Sequence, residues 1–326
     1  MQKYIAQRLL LTIPTVIGVT LLTFVGLRVA LPGGVVDEIL GEFGQNDEIL
    51  RANIEKELGL DSSLPTQYLE WVGLSWFVGG PRGVLQGDLG ESLHSRRSVA
   101  EEVRHRVPVS FELGLWAQVS AIVVSVPMGV WAALKQDKLP DYGFRSIAIL
   151  LNAVPSFWIA ILVITFGSIW FRWAPPLDFK FIDEDPIAHF KLMIVPALII
   201  GLTPSGGLIR LVRTQMLEVL RMDYIRTAHA KGLGQNTVLY KHALRNALIP
   251  VVTVIGVGLP NIVAGTVIFE VIFSFPGMGR YLVDSVRLFD YPVIQGLNLV
   301  FAVLLVGAIL LVDLSYAFLD PRIRYR

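Results

Sequence analysis

Cysteine is absent from the 326 residues, which excludes disulfides and thiolate metal sites. Charge is scarce: Asp, Glu, Lys and Arg make up 17% of the chain, against about 25% in soluble domains. The net charge of +1 carries no message about nucleic acid. Catalytic signatures are missing as well. There is no G-x-x-x-x-G-K-[ST], hence no phosphate-cradling loop, and neither H-E-x-x-H nor G-x-S-x-G occurs. The five histidines, His94, His105, His189, His229 and His242, are scattered. His229 and His242 fall in one stretch, but thirteen residues apart is not a ligand spacing. The chain therefore reads as non-enzymatic, with no catalytic residue, no metal ligand set and no cofactor of its own.

What is present is apolar length. Hydrophobic residues make up 53% and mean hydropathy is +0.59, the composition of a membrane protein. A spanning helix needs about 20 apolar residues. Six segments supply them, near 9–31, 109–134, 146–171, 191–212, 247–272 and 293–316. The expected fold is all-α and polytopic with six transmembrane helices; five or seven spans are the alternatives. The first apolar run is long for a signal-peptide core and has no small-x-small cleavage site, so it reads as a retained span. Residues 32–108 form a long polar insertion with a helix over Asp47–Leu58. Val99 to Arg106 reads as a charged helical lead-in that Pro108 ends. Span four carries Pro196, Pro204, Gly206 and Gly207, and span five Pro250, Gly256, Gly258, Pro260 and Gly265. These read as breaks serving close helix packing and flexing.

Lys and Arg set the orientation through short loops. One side of a six-span chain holds residues 1–8, 135–145, 213–246 and 317–326, with fourteen basic residues in all. The short loops at 172–190 and 273–292 hold two each. The basic side is the cytoplasmic one, so both termini and the 213–246 loop are expected there.

That loop does not read as a simple connection. Asp223 to Pro250 is DYIRTAHAKGLGQNTVLYKHALRNALIP. Asp223 is a good N-cap, and Tyr224 to Lys231 follow as a short helix. Gly232 stands where a helix stops in a left-handed residue, with Leu233 placed for the apolar contact of that cap. A second, basic helix starts after Asn236 and enters the membrane near Ala247. A short helix presented in this way suits docking in a groove on a soluble partner.

This stretch resembles the cytoplasmic coupling loop, the EAA loop, of the permease subunits of binding-protein-dependent ABC importers. The family pattern is Glu-Ala-Ala, three residues, Gly, nine residues, Ile-x-Leu-Pro. Arg226-Thr227-Ala228 fills the triplet, Gly232 the glycine, and His242, Leu244 and Arg245 the last part; Ala228, Gly232 and Leu244 match strictly. The wording is closest to the dipeptide/oligopeptide/nickel branch. Leu58-Gly59-Leu60-Asp61, Gln67-Tyr68-Leu69, Gly87 to Ser92, Asp313 to Tyr316 and Asp320-Pro321-Arg322 resemble that branch too, whereas Pro32-Gly33-Gly34 departs from its Pro-Gly-Asp-Pro. The resemblance implies a type I ABC importer transmembrane domain. Its parts are a tail and first helix at 1–31, an extracytoplasmic insertion at 32–108, a five-helix domain at 109–319 with the coupling loop at 213–246, and a tail at 320–326. It implies a bacterial or archaeal plasma membrane. It also implies a second homologous permease, two ATPase subunits that bind ATP and magnesium, and an extracytoplasmic substrate-binding protein. Asp223, Tyr224, Arg226, Thr227, Ala228, Lys231, Gly232, Leu244 and Arg245 are the residues expected to couple to an ATPase, with Ala228 and Gly232 keeping that surface small.

Ionisable residues inside membranes are functional flags, and Arg28, Glu112, Arg210, Glu270 and Asp313 lie near span ends. Small and polar residues in the Val/Ile-rich span five make Asn261, Gly265 and Thr266 candidate pathway-lining residues recurring on one side. Phe275 and Gly277, within Phe275–Gly279, are candidates for an adjoining gate. Peptide cargo is the expectation; nickel, glutathione and oligosaccharide are the alternatives within the importer, and a self-sufficient carrier or channel outside it.

Overall fold

The computed structural model describes residues 2–30, 36, 40, 48–57, 62–176, 178–258 and 260–319. Pro32-Gly33-Gly34, the Leu58–Asp61 phrase and the tail from Asp320 lie outside the described residues, as do the side chains of Asp313 to Tyr316 and of Asn261. The chain divides into two units, Met1–Pro108 with Gly277–Arg326, and Val109–Pro276.

In the first unit, helix α1 (Gln2–Ala30) runs along the last helix, Tyr291–Leu319. The polar insertion contributes α2 (Glu48–Glu57) and α3 (Leu64–Val72). Pro65 in the first turn starts α3, where a missing N–H costs nothing. Phe24 of α1 packs against Tyr68 and Trp71 of α3, with ring centroids 5.3 and 5.9 Å apart. A carboxylate holds the rest of the insertion down: Asp290 accepts from the Ser92 hydroxyl at 2.5 Å and from the Leu93 amide at 3.1 Å.

Helix α4 (Val99–Leu134) begins in the first unit and continues into the second. Its 36 residues extend about 54 Å at 1.5 Å per residue, far more than the roughly 30 Å of hydrocarbon. The charged lead-in is thus the extramembrane end of span two. Pro108 does not end it, contrary to the expectation, because a long helix absorbs the loss of one intrahelical bond.

The second unit continues with α5 (Leu139–Ala153), α6 (Ser156–Phe171) and α7 (Pro186–Leu220). Then come α8 (Asp223–Ala230), α9 (Gln235–Gly258), α10 (Asn261–Ala264) and α11 (Val267–Ile272). Among the described residues five helices are long and apolar enough to cross a membrane, or six if one bent pair is counted as a single span. That pair is the expected third span. It is two helices, α5 and α6, set at 96°. A residue before proline avoids helical backbone, and Val154, preceding Pro155, is extended at φ −96°, ψ 125°.

Span four is corrected in the opposite sense: α7 is continuous through Pro196 and Pro204. Gly201 and Gly206 serve the close packing that was expected, whereas a Cβ at Gly207 would meet nothing within 4 Å. A Cβ at Gly201 would sit 2.5 Å from the Ala117 carbonyl oxygen, and one at Gly206 2.3 Å from that of Ala148. Backbone atoms cannot give way as a side-chain end can. Gly201→Leu is therefore expected to cost about 1–3 kcal/mol or more from overpacking, read as a lowered Tm in detergent; an unchanged Tm would mean that the helices are not seated at Gly201. The expected fifth span, 247–272, is corrected as well. The helix that crosses is α9, ending at Gly258, and two short pieces follow it beyond Pro260, whose ring disrupts a helix interior. α12 (Met278–Arg287) and α13 (Tyr291–Leu319) return to the first unit.

Candidate functional site

The candidate site is the connection from α7 to α9. α8 starts at Asp223, with Met222 as the extended N-cap residue. Asp223 is thus a first-turn residue rather than the cap; its carbonyl accepts from the Thr227 hydroxyl at 3.0 Å, and its carboxylate meets Arg226 at 3.3 Å. Both ends of that ion pair are exposed, so it adds little to stability. A carboxylate in a first turn still favours the helix through its dipole.

The C-terminus is a Schellman motif. The Leu233 amide donates to the Ala228 carbonyl at 3.4 Å and the Gly232 amide to that of His229 at 2.9 Å. Gly232 takes the left-handed conformation this requires, φ +74°, as the sequence suggests. A Cβ there would meet nothing within 4 Å, so the constraint is conformational and the surrounding space is open.

Two fastenings hold the helix to its own chain. Ile225 is 2% exposed and Ala228 8%, and both belong to the apolar core formed with Val212, Met216 and Val219 of α7 and Val238, Leu239 and Ala243 of α9. Ile225 and Ala228 stand three apart, on one face of a helix. Ala228 is therefore turned inward and leaves the outer surface to its neighbours, which corrects its assignment to that surface. Tyr224 makes the second fastening: its hydroxyl accepts from the Asn246 amide at 2.9 Å and donates to the His242 carbonyl at 3.5 Å. Asn246 also donates to that carbonyl at 2.9 Å. The sequence did not single out this linkage, although the apolar spacing of Ile225 and Ala228 was there to be read.

The opposite face is open. Met222, Tyr224, Arg226, Thr227, His229, Lys231, Gly232 and Leu233 are all exposed. α9 begins at Gln235 and passes through a π-helical turn, Val238–Leu244; such turns are frequent at functional sites. In it Leu244 is half-buried against the core, while Arg245 is exposed just after it. The result is a short, rigidly capped helix, backed by apolar packing, with a polar outer face that carries Asp223, Arg226 and Lys231. Ile225→Ala removes the backing without touching that face. It is expected to cost about 2–5 kcal/mol, measured as a Tm decrease in detergent together with a fall in transport. A variant that transports normally would show that the backing is dispensable.

A second feature lies at the base of α7. Arg213 donates from Nε and Nη2 to the two carboxylate oxygens of Asp141, both at 2.6 Å. The Asp137 amide adds a bond to Asp141 at 3.0 Å. Asp141 is fully buried. The pair ties the turn between α4 and α5 to the end of α7 that leads into α8. The sequence shows only a Lys/Arg-rich loop there, because the partners are 72 residues apart.

The candidate pathway residues are not brought together. Asn261 and Gly265–Thr266 lie on opposite sides of a break, α10 ending at Ala264, so they share no continuous helix face. Thr266 is buried and donates to Glu270 at 2.6 Å, and Glu270 is itself buried. Phe275 is buried in the second unit's other core, with Phe269 and Phe273. Gly265 is exposed and Gly277 buried. Two further membrane ionisable groups are partnered. Glu112 meets His189 at 2.8 Å and accepts from Trp116 at 3.2 Å. Arg210 donates at 2.8 Å to the Asn152 amide oxygen, in the amide orientation that also lets Asn152 donate to the Thr203 carbonyl.

Residues 125–325 match the family described as "Binding-protein-dependent transport system inner membrane component". Residues 1–114 match its N-terminal companion, "Binding-prot-dependent transport system membrane comp, N-term". The chain belongs to this family. It is similar to the dipeptide transport system permease protein DppB of Escherichia coli (strain K12), 40% identical with all of both chains covered. The di/tripeptide permease protein DppB of Pseudomonas aeruginosa is 39% identical and the oligopeptide permease protein AppB of Bacillus subtilis 37%, again over all of both chains. As an inner membrane component of a binding-protein-dependent system, the protein is a multi-pass transport subunit with the type I ABC importer transmembrane fold.

Proposed function

We propose that this chain is a permease subunit of an ATP-driven importer that moves di- or oligopeptides into the cytoplasm. The observation that carries the reading is the full-length match, at 37–40% identity, to permeases named for dipeptides, di/tripeptides and oligopeptides. The α8 geometry supports the coupling half. α8 has a fixed C-terminus, an apolar inner face and an open outer face, as a helix that transmits motion needs. The outer face, with Asp223, Tyr224, Arg226, Thr227, Lys231 and Gly232, docks on an ATPase subunit. Leu244 and Arg245 support it from α9. Closing of two ATPases moves α8, and α8 moves α7 and α9 through the shared core. ATP and magnesium bind to the partners. A second homologous permease completes the pathway, and an extracytoplasmic binding protein delivers the cargo. The Lys/Arg distribution supports a cytoplasmic placement of both termini.

Purification of the tagged chain from its native membrane in mild detergent tests this. Two ATPases and a second six-span protein are expected to co-purify, and ATPase activity should rise with a peptide-loaded binding protein. The chain alone in proteoliposomes should be inert. Solitary transport driven by an ion gradient would overturn the reading.

A further inference from the structure

Residues 62–87 of the polar insertion carry only two charges, Glu70 and Arg82. Their apolar side chains are not hidden. Leu64, Leu69, Leu74, Trp76, Phe77 and Val78 are exposed, Phe77 at 68% and Val78 at 88%. An exposed apolar patch of this kind marks an interaction surface. The contacts of α3 fix its level. Gln67 accepts from Arg28 at 3.0 and 2.8 Å. The Tyr68 and Thr20 hydroxyls share a hydrogen bond at 2.8 Å, and the Tyr68 and Trp71 rings pack on Phe24. Thr20 stands eight residues before Arg28, about 12 Å along a helix that rises 1.5 Å per residue. The apolar span of α1 is Leu10–Arg28, 19 residues, about 28 Å at the same rise. That matches the roughly 30 Å of hydrocarbon. Arg28 therefore marks the interface, and Tyr68 and Trp71 reach below it. α3 lies beside the last turns of the span, inside the edge of the bilayer. Leu21, Leu22 and Val25 of α1 are exposed at that same level.

The turn after α3 suits such a place. Backbone groups near hydrocarbon need partners within the protein. Gly73 ends α3 at a left-handed φ of +88°, and the Leu74 amide donates to the Leu69 carbonyl at 2.9 Å. A 3-10 turn follows, Ser75–Val78. The Gly79 amide donates to the Trp76 carbonyl at 3.1 Å and the Gly80 amide to that of Ser75 at 2.9 Å. Gln86 closes the loop: its amide nitrogen donates to the Gly73 carbonyl at 3.1 Å, and its oxygen accepts from the Gly83 amide at 2.9 Å. The Trp76 and Phe77 rings meet edge to face, centroids 5.3 Å apart. The result is a compact wedge that presents Trp76, Phe77 and Val78. Tryptophan and tyrosine favour the membrane–water boundary. We propose that α3 and the wedge Ser75–Val78 are seated in the bilayer leaflet at the Arg28 end of α1, with Leu69, Leu74, Trp76, Phe77 and Val78 against lipid. Lipid is the occupant because the patch shares the level of a membrane span and is nearly free of charge, so it continues the surface that α1 already turns to the bilayer. The wedge lies in the interface as an amphipathic anchor does, and it fixes the depth and tilt of α1. It needs only that α1 spans a membrane, and does not depend on what the subunit imports.

A chain without cysteine makes the test direct. Phe77→Cys and Val78→Cys are made one at a time in the full-length chain, labelled with the fluorophore NBD and measured in phosphatidylcholine nanodiscs. Leu22→Cys, at an exposed position of α1, is the lipid reference, and Glu101→Cys, at an exposed position of the charged lead-in of α4, is the water reference. Labels at positions 77 and 78 are expected to share the blue-shifted emission of the Leu22 reference. Phosphatidylcholine with a doxyl group near the headgroup end of its acyl chain should quench them, and the iodide quenching seen at position 101 should be lost. Iodide quenching equal to that at position 101 would overturn the proposal. Shielding from both quenchers would give the patch to a second copy of this chain, and loss of lipid quenching on assembly with co-purifying subunits would give it to a protein partner; either overturns it. The wild-type chain supplies a reading that needs no variant to fold. Carbene photolabelling from a diazirine-bearing phosphatidylcholine should modify residues 74–78 and spare 97–101, and an absence of adducts at 74–78 overturns the proposal too. None of these readouts involves ATPase activity or cargo, so the anchor and the importer reading fail separately.

Discussion

Gly232→Asp is expected to abolish transport while leaving membrane insertion and abundance near normal. The strain is local. A side chain in the left-handed region costs about 1–2 kcal/mol, and the φ of +74° at Gly232 lies in that region. The chain itself offers no clash, since a Cβ would meet nothing within 4 Å. The fold should therefore survive. The open space at Gly232 is where a docked partner would lie, and a carboxylate there meets that partner directly. Loss of a central contact of this kind costs about 2 kcal/mol or more, roughly thirtyfold in affinity. Gly232→Asn separates the two causes, because asparagine tolerates the left-handed conformation and carries no charge. It should retain most of its transport. Insertion is measured by membrane fractionation and coupling by transport together with ATPase co-purification. Normal transport by Gly232→Asp would remove α8 from the coupling path.

What the sequence displayed well was periodic or local. Six apolar segments, the helix near Glu48–Glu57 and the glycine stop after α8 are all readable, because each depends on neighbouring residues alone. The readings that needed correction concern proline. Three prolines looked alike and behaved differently. Pro155 bends the chain because its predecessor Val154 goes extended. Pro108 and Pro196 sit inside helices that continue through them. Context beyond the local sequence decides between these outcomes. Helices packed as closely as α7, with Gly201 and Gly206 against neighbouring backbones, are held through a missing hydrogen bond. Span five shows the converse, where Pro260 comes just after α9 ends at Gly258.

At the site, the limit was orientation. The EAA-like spacing located the loop, but spacing alone does not tell which side of an eight-residue helix faces the chain. Ala228 matches the motif strictly, and the match suggested an outward role; the core around Ile225 turns it inward. The link of Tyr224 to Asn246 and the pair of Asp141 with Arg213 join residues 22 and 72 positions apart. No local pattern marks such partners. The pathway candidates meet a related limit: their common side assumed one helix across residues 261–266, and α10 stops at Ala264.

The Asp141–Arg213 pair carries the second large expected effect. Removing one partner of a buried pair leaves an uncompensated charge, at a cost of about 3–5 kcal/mol. Asp141→Ala should show this cost, because it strands Arg213, which is only 17% exposed, and also the Asp137 amide. The readout is a Tm decrease in detergent with reduced yield. Replacing both partners with apolar side chains, Asp141→Leu with Arg213→Met, should restore most of the stability, since a packed apolar pair commonly equals a buried ionic one. Transport should not return with it. The bidentate contact fixes the angle between two planar groups, and through it the turn after α4 is held to the last turns of α7, ten residues before Asp223. Apolar packing supplies attraction without that angle. A double variant that is stable and transports at the wild-type rate would reduce the pair to packing. One that is stable but slow, with ATPase activity no longer stimulated by cargo, would show that the pair aligns α7 for the movement α8 passes on.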